Sequence, residues 1–339
     1  MTSWLSSIGG LRRAGRRTNV ALLVVLIGAA ATGVLAFAAG TPIPARLATV
    51  VHGLFGLAVV LLVPWKTVIV RRVRAVRVAS LALVVLIAVC IASGLVEVFG
   101  GYGVIWRLSP IQVHVGSAAL AAPLFAWHIL RHRRQRLRRL DLSRRTLLRT
   151  GALTAGVAAT YATLEGLGRL VGSASASRIA TGSHYVRADA IPATIWLFDQ
   201  VPVLGADDRV HVAGTELTVA DLRSRSTTVA ARLDCTSGWY TDAAWTAVSL
   251  ADLLPPEQLA AAASIEVVSV TGYHRRFPAD EAGSLWLATG YQGEALQSGH
   301  GAPVRLVAPH RRGFWWVKWV ASVKLSDNPA LAQSPFPLQ

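Results

Sequence analysis

Four apolar runs, at about 19–39, 46–70, 78–99 and 111–130, constrain this chain more than any other feature. Each reaches roughly the 20 residues that an α-helix needs to cross a hydrocarbon core. An apolar fraction of 53% against 15% charged residues is too high for an ordinary soluble protein. After about residue 183 the long runs give way to short alternating stretches, so a membrane part and a globular part share the 339 residues.

The net charge of +16 sits in three places. Arg12, Arg13, Arg16 and Arg17 form one cluster, Arg71, Arg72, Arg74 and Arg77 a second, and residues 131–149 hold nine arginines against the single acid Asp141. All three abut apolar runs, whereas the links Gly40–Ala45 and Gly100–Pro110 carry little charge. That alternation is the positive-inside pattern, and it puts the N-terminus and the basic links in the cytoplasm of a multi-pass cell-membrane protein. Membrane lipid is thus the partner of these clusters. Nucleic acid is not expected, because phosphate binding needs a basic face on a folded domain.

A fifth, weaker run covers about 150–171 and contains Glu165 and Arg169. Ser143-Arg144-Arg145-Thr146-Leu147-Leu148-Arg149 precedes it. This resembles the twin-arginine export signal, with Leu for the usual Phe and Arg for the usual Lys; the competing reading is a basic cytoplasmic loop that happens to contain paired arginines. Export would carry the C-terminal part outside. Ala174-Ser175-Ala176 reads as a cleavage site, but cutting there would free the globular part, so retention is the expectation.

Ionisable residues inside spans are costly and usually functional. His52 and Lys66 lie on the second run, Glu97 near the outer end of the third, and His114 and His128 on the fourth. His52 and His114 share a level roughly 6–9 Å below the outer end, and Lys66 and His128 each follow 14 residues on, about 21 Å deeper on the same face. Two imidazoles at one depth suit the two axial faces of a haem b, and the pattern is similar to small cytochrome b membrane subunits that exchange electrons with quinones. His128 is the alternative ligand, the inner tier is a candidate quinone site, and histidines that merely hydrogen-bond between helices remain the simpler reading.

The globular part predicts strands at Arg209–Ala213, Thr227–Asp234, Ile265–Val270, Leu285–Ala288, Val304–Ala308 and Phe314–Leu325, with short helices at Val219–Ser224 and Ser249–Leu254. With no regular βαβ repeat and no Gly-rich phosphate loop, the fold class is an N-terminal all-α transmembrane bundle of about five spans plus an α+β domain. The boundaries read as 1–140 for a four-helix bundle and candidate haem b domain, 141–182 for the twin-arginine-like segment, fifth helix and linker, and 183–339 for the globular domain. Cys90 and Cys235 lie in different environments, so no disulfide is expected.

Leu233-Asp234-Cys235-Thr236-Ser237-Gly238-Trp239, Trp245, Val248 through Leu254, Leu287-Ala288, Gly293, Leu296, His300 through Val307 and Gly313 through Val320 stand in a characteristic order. Over about residues 190–326 this resembles the molybdopterin-binding domain of the sulfite oxidase family. The resemblance implies that Cys235 ligates molybdenum and is catalytic, and that His300, Arg305 and Lys318 hold the pterin phosphate. A thiolate is a soft ligand suited to such a metal. The simpler readings are a small buried cysteine at 235 and an ordinary strand arginine at 305. Arg311 and Arg312 read as exposed charge in a turn, His274, Arg275 and Arg276 as a substrate funnel or a solvated turn, and Trp239 and Trp245 as core. Where sulfite oxidases carry Gly-Asn-Arg-Arg after the cysteine, Thr236-Ser237-Gly238-Trp239-Tyr240 stands here, and Thr289 replaces their active-site tyrosine, with Tyr291 two residues on.

The expected function is oxygen-atom transfer to or from a small-molecule substrate on the outer face, with electrons exchanged through haem b with the quinone pool or another redox protein. Its rivals are a cofactor-free binding module on a membrane anchor and a molybdoenzyme whose anchor holds no haem.

Overall fold

The computed structural model describes residues 15–71, 78–103, 108–131, 144–194, 200–205 and 208–337. Arg12, Arg13, Arg72, Arg74, Arg77, the arginines of 132–143 and Ser143 of the export-like motif lie outside the described residues. The chain divides into two compact units: residues up to Ala36 with Ala45–His184, and Phe37–Pro44 with Tyr185–Gln339.

The four long apolar runs are the helices α1 (Arg16–Ala38), α2 (Pro42–Arg71), α3 (Val78–Gly100) and α4 (Pro110–Arg131). Proline opens α2 and α4, where its missing N–H costs nothing. All four are long and apolar enough to cross a membrane. Their outward faces carry Val24, Ile27, Leu47, Leu81, Val85 and Leu120, each more than half exposed. Facing water, that much contiguous apolar surface would be an aggregation liability; facing lipid, it is the ordinary state of a spanning helix.

The fifth run is a helix too, α5 (Arg144–Leu170), and it starts inside the twin-arginine-like motif. It is long, but its Ala, Gly and Thr leave it outside the four helices apolar enough to span. Val157 of α5 is buried with Val25 of α1 and Ala58, Val59 and Leu62 of α2, so α5 packs as part of the helical unit.

The second unit consists of β1 (His184–Tyr185), β2 (Val210–Val212), β3 (Thr215–Leu217), α6 (Val219–Ser224), β4 (Thr227–Cys235), β5 (Trp239–Ser249), α7 (Leu250–Leu253), α8 (Pro256–Ala261), β6 (Ser264–Ser269), β7 (His274–Pro278), β8 (Trp286–Tyr291), β9 (Glu294–Ala295), β10 (Arg305–Val307) and β11 (Val320–Ser326). One sheet runs β1–β5–β8–β10, with β4 also on β5 and β9 on β8; the other runs β3–β2–β11–β6–β7. Every pair whose register is given is antiparallel except β11 with β2, which is parallel. The α+β expectation therefore stands: antiparallel sheets with a few short helices.

Two strand expectations need correction. Phe314–Leu325 is not one strand: Gly313–Trp315 is a 3₁₀ turn, Trp319 has φ of 52°, and β11 begins only at Val320. β5, the longest strand of the unit, was not anticipated. Its inward side is Trp239, Thr241, Ala243, Trp245 and Ala247, and the small residues in that row mute the alternation expected of a strand. Trp239 and Trp245 are 2% and 1% exposed, core residues as expected.

Candidate functional site

Cys235 ends β4, and its register partner is Trp239 at the start of β5. The loop between them closes with the Gly238 N–H donating to the Cys235 carbonyl at 3.2 Å, and Gly238 takes φ of 93°, a conformation open to glycine. Nine paired residues of β4 and β5 lead into this loop, so the thiol is held rigidly at the shoulder of a hairpin. Its Sγ lies 3.0 Å from the Ser237 hydroxyl and 3.9 Å from that of Thr194, which also accepts the Trp239 indole N–H at 3.2 Å. Neither cysteine forms a disulfide.

Arg305 and Lys318 are both close enough to Cys235 to feel its charge. Arg305 is 3% exposed, lies over the rings of Trp245 and Trp316, and donates to the His300 carbonyl at 3.0 Å, while its Nε has no partner. The Lys318 ammonium donates to the Thr194 and Gly299 carbonyls, both at 2.7 Å. Among the described residues neither cation has a carboxylate in ion-pair range. Burial pushes the Arg305 guanidinium down to about 10 and the Lys318 ammonium down to about 8, and the two repel each other. Buried charge without a counter-ion is expensive, so this pocket is built for an anion that arrives from outside the chain.

His300 completes the cluster. Its Nε2 faces the Ile191 carbonyl at 2.8 Å and must carry the proton, while its buried Nδ1 has no partner. Burial lowers its pKa, with Lys318 and Arg305 adding to the effect. Gly301 allows these residues to converge: at φ of 104°, a Cβ there would sit 3.1 Å from the Cβ atoms of both Arg305 and Lys318. The orphaned Arg305 Nε, the cationic pair and the nearby soft thiol form a donor set that fits a phosphate-bearing group with a thiolate-binding metal, and the His300 Nδ1, a lone pair while the ring is neutral, joins it as a donor once an anion there brings a second proton onto the imidazole.

Arg312 is not the exposed turn charge it was expected to be. It is 4% exposed, and its Nε donates at 2.9 Å to Asp234, the residue before Cys235. Arg311 is ion-paired to Glu281 at 2.5 Å and lies over Trp315. Arg275 belongs to neither a funnel nor a solvated turn: it is 0% exposed on β7 and stacks against Tyr273, Phe314 and Trp315. His274 and Arg276 both reach Glu266. Thr289 is buried with its hydroxyl unpartnered, and the Tyr291 ring lies 5.7 Å from that of His300.

In the helical unit the rings of His52 and His114 stand 5.7 Å apart and perpendicular. Each sits in a similar seat. The Nδ1 of His52 faces the Ala29 carbonyl at 2.9 Å, and that of His114 the Cys90 carbonyl at 2.7 Å. A carbonyl can only accept, so both Nδ1 atoms carry the proton and both Nε2 lone pairs are left for a metal. The Cys90 thiol lies 4.0 Å from the His114 Nε2. Four residues past Ala29 comes Gly33, where a Cβ would lie 3.1 Å from the His52 ring; four past Cys90 comes Gly94, where a Cβ would lie 2.9 Å from His114. Thr32 and Ser93, each just before the glycine, bond back to their own helix at Gly28 and Val89. The hairpin α1–α2 is thus repeated in α3–α4, down to Trp65-Lys66 and Trp127-His128 13 and 14 residues past each histidine. At this spacing, which edge-to-face packing of two rings also gives, His52 and His114 would be the residues to hold a metal-bearing group that takes two imidazole nitrogens. Lys66 donates to Asn19 at 3.1 Å, and α2 carries a single histidine, His52.

Residues 202–334 match the family model described as an oxidoreductase molybdopterin binding domain. No curated protein matches the chain. Among solved structures, the sulfane dehydrogenase SoxCD from Paracoccus pantotrophus is similar at 26% identity, over 38% of this chain and 40% of that one, with a TM-score of 0.34. The chain therefore spans about two fifths of the length of that relative.

Proposed function

We propose that this chain is a membrane-anchored molybdopterin oxidoreductase that moves an oxygen atom to or from a small substrate on the outer face of the membrane, exchanging electrons through a haem b with the quinone pool. The observation that carries the reading is the soft thiol of Cys235 beside two buried cations, Arg305 and Lys318, that have no counter-ion among the described residues. Arg305, Lys318 and a protonated His300 would hold the pterin phosphate, and Cys235 the metal. When bound, that group supplies two-electron oxygen-atom chemistry. The chain's own contribution is to fix the sulfur on a hairpin, to offer hydroxyl hydrogen bonds from Ser237 and Thr194, and to keep the pocket dry with Trp239, Trp245 and Trp316. Thr289 in place of a tyrosine, and the missing run of arginines after Cys235, point away from sulfite and toward a less charged substrate such as an S- or N-oxide.

The helical unit supports the electron route through the paired seats of His52 and His114. The arginine clusters support an inward N-terminus, and the twin-arginine-like segment followed by α5 supports an outward C-terminal unit. A cofactor-free binding module would have no use for two unpaired buried cations, which disfavours that alternative. Elemental analysis of the purified full-length protein tests the proposal: about one molybdenum per chain is expected, with near-complete loss of metal and turnover in Cys235→Ser. Unchanged metal and turnover in that variant would sink the reading. A reduced-minus-oxidised spectrum showing a b-type band in wild type, lost in His52→Ala and His114→Ala, tests the electron route.

A further inference from the structure

One of the places where the repeat of the two hairpins breaks is an ionisable residue at the outer end of α3. Glu97 stands three residues past Gly94, close to one turn on and on the same face of α3, whereas the first hairpin has Ala36 three residues past Gly33. Glu97 is 6% exposed, and neither carboxyl oxygen has a hydrogen-bond partner among the described residues. The Ile111 N–H at the head of α4 faces the carboxyl, and His114 follows Ile111 by a single turn. Capping of α4 is already provided by Ser109 and Gln112, whose backbone and side chains bond reciprocally at 2.8 and 3.3 Å. Among the described residues, the other charged groups that act on the carboxyl or its backbone are committed elsewhere: His184 donates to the Glu97 backbone carbonyl at 2.6 Å, and Arg178, which acts on the carboxyl through space, is ion-paired to Glu165. An acid this thoroughly buried in a spanning helix, with no dedicated counter-ion among the described residues, is costly, which marks it as functional rather than structural.

We propose that Glu97 is the proton-carrying residue of a quinol site at the outer ends of α3 and α4. The inference rests on the reading of the helical unit as a haem-bearing electron conduit. A quinol becomes a quinone by losing two hydroxyl protons and two electrons. His52 and His114 would hold the group that supplies one-electron chemistry for the two electrons, and the metal on Cys235 would be their destination. The Glu97 carboxylate takes each hydroxyl proton in turn and gives it up to water outside; in the opposite direction the same residue returns protons to a quinone. A water-soluble one-electron carrier would need no such acid, which is why a lipid-soluble hydrogen carrier is the partner that fits.

The test uses full-length protein in lipid nanodiscs and follows haem reduction by stopped flow, with menadiol as the proton-bearing donor and reduced methyl viologen as the proton-free one. Glu97→Gln is expected to slow reduction by menadiol at least tenfold, with the dithionite-reduced spectrum and the viologen rate unchanged, and Glu97→Asp to recover part of the loss. A redox-difference infrared spectrum should lose a carboxyl C=O band in Glu97→Gln. Menadiol reduction at the wild-type rate in Glu97→Gln overturns the proposal, as does equal slowing with both donors. A wild-type protein lacking any b-type band overturns the haem reading instead, and is visible before any variant is made.

Discussion

Lys318 and Arg312 show two ways of burying a cation beside the same cysteine. Lys318 has carbonyls and the Trp319 ring against it but no carboxylate among the described residues, and burial holds its pKa at about 8 against 10.5 for an exposed lysine. Because the pKa is lowered in the folded state, the unfolded chain binds more protons between about pH 8 and 10.5, so the stability of the cofactor-free protein should rise across that window and the full penalty should stand below it. Thermal unfolding at a series of pH values checks this: the rise should disappear in Lys318→Met, and also when the pterin phosphate is bound. Arg312, by contrast, is paired with Asp234. Arg312→Ala takes the guanidinium from that buried carboxylate, and should cost about 3–5 kcal/mol in denaturant unfolding. Cys235, His300, Arg305 and Lys318 were legible in the sequence through motif order alone. Arg312 was not, because a Pro-His-Arg-Arg-Gly stretch has the composition of an exposed turn and only the fold brings Asp234 to it.

At the scale of elements, helices were easy to read and strands less so. A run of 20 apolar residues has one physical solution in lipid, so α1 to α4 followed from length and composition. Strand signals are short and depend on the partner face, which is why β5, with Ala243, Ala244 and Ala247, and β7, with its row of His274, Arg275 and Arg276, escaped notice. Nor do composition and periodicity reveal that a glycine is the wall of a seat: that takes the distance from Gly94 to the His114 ring. Gly94→Val should push the ring off its Cys90 carbonyl and abolish the b-type band, whereas Gly116→Ala, on a helix face with open space, should leave the spectrum intact. Visible spectroscopy of the two purified variants decides between these outcomes.

For the molecule as a whole, direction matters as much as structure. If the paired arginines at 144 and 145 are the export signal, Arg144→Lys with Arg145→Lys should keep the C-terminal unit in the cytoplasm, and protease protection of intact spheroplasts should switch from cleaved to protected. Equal accessibility in wild type and variant would leave the segment as a plain basic loop. Copying one hairpin to make two has a geometric corollary. If both copies cross a bilayer in the same sense, whatever one places at a given height its twin places at that height too, and a matched couple of side chains arises without separate tuning. Once the upper couple is committed to a shared task, the lower one, now Lys66 opposite His128, is free to drift apart and take on unlike duties.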